Sequence, residues 1–211
     1  MLLLSVTFAY TGLELTFFGG IYTSCVGQNQ WFGDQAKSLI GLTGMSIGAG
    51  EIIGGLLFSI LGEQTNKFGR DPIIILGFIL HMIAYFLSFM NFPDDCPANP
   101  THGPIYLEDS SPPVALAGAF MLGLGDACFN TQLYSILGFL YNSADSSPPA
   151  FAVFKFMQSL AAAIAFFYAG ILLRYQLYIL AFMNLLGTVA FLLASRPAQR
   201  IRLSQNCGLE L

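Results

Sequence analysis

Three carboxylates, Glu14, Glu51 and Asp126, stand inside long apolar runs of the sequence. In such runs a charged side chain costs about 2.5–3.5 kcal/mol at mid-membrane, so each one asks for a functional reason. Each lies roughly a dozen residues into its run, which at the rise of an α-helix places all three about 18 Å deep. Carboxyl groups at one depth on three helices suggest a shared cavity, with Glu14 or Asp126 as carrier of a proton or cation. Helical spacing extends the pattern. Thr7, Thr11 and Glu14 fall on one face of the first run, and Asp126, Asn130 and Tyr134 on one face of the fourth. Lys155, Gln158 and Ser159 share a face of the fifth, with Lys155 near enough to the helix end to snorkel. The competing expectation is that these groups satisfy one another as interhelical hydrogen bonds and never meet a substrate.

Other chemistries find less support. Gly44-Met45-Ser46-Ile47-Gly48 has the form G-x-S-x-G, and His81 lies within the next run, but a glycine stripe already explains the motif and no oxyanion donor is evident. Asn99-Pro100-Thr101 stands alone in an acidic loop, and its proline also removes the N-glycosylation acceptor. No catalytic residue, cofactor or metal site is expected. The four cysteines are far apart, and His81 has no second ligand near it in sequence. No basic stripe or aromatic RNA motif points to nucleic acid.

The elements that must position these residues follow from composition. Of 211 residues, 55% are hydrophobic and 9% charged, far below the quarter that is usual in soluble domains. An all-α membrane protein is expected, with lipid bilayer as its surroundings. Six runs are long enough to cross, near 2–23, 39–61, 72–92, 113–141, 149–173 and 175–195, forming a bundle over 1–195 with a short tail at 196–211. Pro72, Pro113 and Pro149 fall at helix starts, where a missing N–H costs nothing. The chain begins at Met1 directly inside an apolar run, which reads as an excerpt of something longer.

Lys67, Arg70, Arg196, Arg200 and Arg202, with Lys155, fall on the side shared by the two ends, against Lys37 and Arg174 opposite. Both termini are therefore expected in the cytoplasm. The segment from Pro93 to Ser111 carries Asp94, Asp95, Glu108 and Asp109 with no Lys or Arg, and should face the lumen or the outside. Cys25 and Cys96 land on that face, where an oxidising compartment permits a disulfide, although spacing alone does not bring them together. Cys128 and Cys207 read as free thiols.

Close helix packing is written into the second run, with Gly44, Gly48, Glu51 and Gly55 on one face and Ser46, Gly50 and Gly54 on another. The fifth run repeats the device with Ala161, Ala165 and Ala169. Between the second and third runs the chain reads Gly62-Glu63-Gln64-Thr65-Asn66-Lys67-Phe68-Gly69-Arg70-Asp71. This resembles the signature loop of the major facilitator superfamily: Gly62, Lys67, Gly69 and Arg70 match, while Asn66 stands for an acid and Asp71 for a basic residue. The segments Tyr10–Phe18, Leu122–Gln132 and Phe151–Phe156 resemble the Unc-93-like branch of that superfamily over nearly the whole chain.

The resemblance implies one six-helix half, a 3+3 inverted repeat, of a twelve-helix fold whose first and fourth helices line a cavity. Two functions follow from it: a solute carrier of unread substrate, or a non-transporting accessory protein that associates with a channel or receptor. Either way a partner is expected for the polar faces, as a second six-helix half, a homodimer, or a membrane channel or receptor.

Overall fold

The computed structural model describes residues 1–60 and 70–207. Six helices are long and apolar enough to cross a membrane. We number them α1 (Leu2–Gln28), α2 (Ala36–Ile60), α3 (Asp71–Asn91), α4 (Pro112–Leu140), α5 (Ser147–Phe167) and α6 (Leu173–Cys207). No named strand occurs among the described residues. The expected proline positions recur, with prolines in the first turns of α3, α4 and α5. α6 continues to Cys207, past the Ser195 at which its apolar run ends.

Helix α1 changes pitch along its length. Residues Phe17–Tyr22 form a π-helical turn around Gly19-Gly20, and α-helix resumes over Thr23–Gln28. Glycine pairs loosen a helix at such points. The Thr23 hydroxyl takes up the carbonyls left behind, donating to Gly20 at 2.8 Å and Gly19 at 3.3 Å.

The tertiary contacts have the symmetry of an inverted repeat. Taking α1–α3 and α4–α6 as two units, the second and third helices of each pack on the first helix of the other. α1 and α4 are consequently the most buried helices. Both crossings rest on a glycine set against backbone. A Cβ at Gly12 would overlap the Gln158 carbonyl and crowd Ala161 on α5, one at Gly123 would overlap the Ile47 carbonyl on α2, and one at Gly50 would crowd Gly123 in return. These triplets, Gly12/Gln158/Ala161 and Gly123/Ile47/Gly50, are equivalents at one constant separation along the chain. Gly54 continues the α2–α4 crossing against Ala127, whereas Gly44, Gly48 and Gly55 face open space.

The end of the bundle holding the α1–α2 and α3–α4 connections is tied together. Cys25 and Cys96 form a disulfide with Cα atoms 4.6 Å apart, and both are fully buried. Asn29 and Thr101 pair as a short bridge, with Gln30 N–H donating to the Thr101 carbonyl and Thr101 N–H to that of Gln28. Below it Asn29 donates to Ser110, which donates to the Asn91 carbonyl. A 3-10 turn over Gln30–Gln35 leads into α2, and Gly33 within it takes φ 52°, which a side chain would oppose. Asp94 fastens the acidic connection to α6, pairing with Arg174 at 3.3 Å and accepting from the Leu173 N–H through its carbonyl.

Candidate functional site

The polar stripe of α1 fans out to three different helices. Thr7 donates to the Gly187 carbonyl of α6 at 2.9 Å, Thr11 meets Gln158 of α5 at 3.3 Å, and Glu14 faces His81 of α3 at 2.6 Å. All three α1 residues are completely buried.

Around Glu14 the structure builds a sealed cluster. His81 is also wholly buried, with Nδ1 2.5 Å from the Tyr10 hydroxyl, which lies 3.0 Å from that of Tyr85. Its Nε2 lies 3.2 Å from the Leu122 carbonyl oxygen of α4. The Phe129 ring stacks on the imidazole at 5.5 Å with an 8° interplanar angle. Gly125 makes the space, since a Cβ there would overlap the His81 ring. Glu14 is close to Nε2 yet neither of its oxygens completes a hydrogen bond in the described structure. The reason is directional: an Nε2–H aimed at Leu122 leaves Oε1 off its axis, a near contact without hydrogen-bond alignment.

A second polar array lies across α4, α5 and α1. Asn130 donates to Asp126 at 2.7 Å, one helical turn away. One further turn along, Tyr134 lies beneath the Lys155 ammonium, 5.5 Å from its ring centroid, and Phe154 lies 4.8 Å from the same cation. Lys155 donates to Gln158 at 2.8 Å, and Gln158 donates on to Thr11. Asp126 and Gln158 are buried, Asn130 is half-buried, and Tyr134 and Lys155 are exposed. The array is thus two bonded groups, Asp126–Asn130 and Tyr134–Lys155–Gln158–Thr11, that follow one another at helical spacing along α4 and open on one side of the bundle.

The remaining expected residues join neither set of hydrogen bonds, although Glu51 is near enough to Glu14 and Asp126 to act on both electrostatically. Glu51 is half-buried on α2, beside the open glycine face. Gly62, Asn66, Lys67 and Gly69 of the signature loop lie outside the described residues. Arg70 is buried and donates to the Ser135 side chain of α4 at 3.0 Å, with Phe139 under its guanidinium. Ser46 gains no base from His81, because both ring nitrogens face other groups. Among the described residues no three His, Cys, Asp or Glu side chains gather as a metal site requires.

Spacing alone singled out Glu14 but not its surroundings. Tyr10 is one turn before Glu14 and Tyr85 one turn after His81, so each helix carries an i, i+4 polar pair near its middle. That coincidence was the available signal. The rotation of α3 that turns its pair toward α1 is a tertiary property, absent from the periodicity of either segment.

Comparison with known proteins agrees with this architecture. The family model described as "Ion channel regulatory protein UNC-93" matches residues 1–192. The chain is similar to the UNC93-like protein MFSD11 of Xenopus tropicalis, at 51% identity over 195 residues, covering 90% of this chain and 43% of the relative. Similarity to the Xenopus laevis protein of the same name is 50% over 194 residues, with the same coverage. The chain therefore spans less than half the length of these curated relatives. No solved structure matches.

Proposed function

The chain belongs to the UNC-93 family, and from that premise we propose that it forms one six-helix half of a solute carrier of the major facilitator type. Its Asp126–Asn130–Tyr134–Lys155–Gln158 band lines a pathway shared with a second six-helix half. The supporting observation is the band itself. An ammonium group within a membrane-crossing helix is costly against hydrocarbon. Lys155 instead stands exposed beside Tyr134 and bonded to Gln158, with the Asp126–Asn130 pair one and two turns along α4 from Tyr134. Such a face suits a polar solute or water, and it needs a polar companion to cover it. Asp126 and Lys155, each held by a neighbouring amide, would offer both signs of charge to a zwitterion or organic ion.

The disulfide supports an orientation as well. A buried Cys25–Cys96 bond suits the oxidising side of a membrane, so the end that carries it faces the lumen or the exterior and both termini face the cytoplasm. Accessibility labelling from each side of sealed vesicles tests that assignment.

Flux tests the carrier reading. The intact protein reconstituted in vesicles should move a radiolabelled solute, identified by screening polar metabolites, and Lys155→Met should abolish that movement while the protein still inserts. A second reading, an accessory subunit, takes its support from the matched family's description as ion channel regulatory. Co-purification with a stoichiometric channel, with no flux for any solute, would favour it.

A further inference from the structure

The sealed cluster contains a carboxyl group that the fold neither exposes nor satisfies. Glu14 is 0% exposed, its two oxygens lack hydrogen-bond partners in the described structure, and a histidine ring nitrogen stands 2.6 Å away. The 2.6 Å between Oε1 and Nε2 is the distance at which a carboxyl oxygen and a ring nitrogen share a hydrogen. We propose that Glu14 and His81 form a proton-binding site at the centre of the bundle, holding one proton between them and extending through Tyr10 to Tyr85.

The hydrogen bonds balance in two arrangements. Without the added proton, Nε2–H donates to the Leu122 carbonyl, Nδ1 accepts from Tyr10, and Glu14 is an anion without a donor. When one proton arrives through Tyr85 and Tyr10, Tyr10 passes its hydrogen to Nδ1, and the imidazole turns from Leu122 toward Glu14 and hands the Nε2 hydrogen to the carboxylate, whose new O–H bond donates to Nε2. The ring then carries its hydrogen on Nδ1 and donates to Tyr10, and Tyr10 donates to Tyr85. The Leu122 carbonyl keeps its bond within α4. The Nε2–H bond is exchanged for an Nδ1–H bond, the hydrogen bond from Nε2 to Leu122 is given up, and the pair changes from net −1 to neutral. The protonated pair can equally place its hydrogen on Nε2 as imidazolium facing carboxylate. The site's charge, which is what a low-dielectric interior resists, is the same in both forms.

The titratable neighbours are distributed over the surrounding helices. Tyr10 and Glu14 come from α1, Glu51 from α2, His81 and Tyr85 from α3, and Asp126 and Cys128 from α4. Tyr168, just beyond α5, interacts with Tyr85. Asp126 joins the two arrays. It follows Gly125, against which the imidazole lies, and it accepts from Asn130 in the open band. Charge added at Glu14–His81 is therefore felt at the band, which makes the site a coupling site for proton-linked transport; this last step rests on the carrier reading, while the proton site does not.

Infrared difference spectroscopy of the intact purified protein, stepped between mildly acidic and mildly alkaline buffer, reads the site directly. The expected result is a protonated carboxyl C=O band that disappears on alkalinisation and is missing in Glu14→Gln. In His81→Gln, which retains hydrogen-bonding capacity at the ring's position, the midpoint of the same band should move by about one pH unit or more. Nitrogen-15 chemical shifts of His81 should report the tautomer change in the same pH interval, so the proposal stays testable should either variant fold poorly. An unchanged band in Glu14→Gln, or a His81 tautomer constant across the interval, would overturn it. Solute flux measured separately on the same preparation distinguishes the two readings: no flux with a titrating Glu14 band removes the carrier and keeps the proton site.

Discussion

The two polar arrays divide their costs in opposite ways. In the α4–α5 band the head groups bond to one another in two sets, and the side that holds Tyr134 and Lys155 is open. In the α1–α3 cluster everything is closed off beneath Phe129, and the acid at its centre has no formed hydrogen bond. Burial without satisfaction does not stabilise a bundle, since hydrophobic residues of similar volume would serve at least as well. Neither array is thus explained by stability. The open one is arranged to meet something polar outside the bundle, and the sealed one to change state inside it.

Substitutions can sharpen or erase that contrast. The largest effect is expected from Gly125→Leu, which forces a branched side chain into the space of the His81 ring and should lower stability by about 1–3 kcal/mol through overpacking. Thermal unfolding in detergent measures it, and the Lys155–Gln158 contact should survive. Tyr10→Phe comes next. It deletes the hydroxyl shared by His81 and Tyr85 and leaves a buried ring nitrogen unpaired, for a loss of about 1–2 kcal/mol in the same assay. Asn130→Ala removes one hydrogen bond at the half-open band and should cost about 0.5–1.5 kcal/mol. The smallest change in stability, within about 0.5 kcal/mol, is expected from Lys155→Met, despite its complete effect on flux. Equal losses of stability at Tyr10 and Lys155 would show that the arrays are not distinct in kind.

Much of this was legible in the residues. Apolar run lengths gave six crossings, and the prolines gave the starts of α3, α4 and α5, because both signals are local. The three carboxylates stood out for the same reason. What could not be read was direction around each helix axis. The glycines of α2 formed two plausible packing faces, and only the fold shows that Gly50 and Gly54 meet α4 while Gly44, Gly48 and Gly55 stay open. Likewise Glu14 was visible as an expensive residue, but its neighbour His81 comes from a helix whose rotation depends on Gly125 and Phe129 far along the chain. The π turn at Phe17–Tyr22 was also unannounced, apart from the Gly19-Gly20 pair that permits it.

The Cys25–Cys96 bond has a consequence in time as well as in space. It joins the end of the first crossing to the connection after the third, across a sequence separation of 71 residues. With that end on the oxidising side, as proposed, Cys25 arrives there during synthesis before α2 and α3 are threaded and waits as a thiol. The bond can close only once α3 has been delivered across in the right sense, so the covalent link records that the first repeat was inserted correctly. A chain whose third helix is left out of the membrane would keep a free thiol at the end of its first crossing, and a thiol-reactive label would mark it.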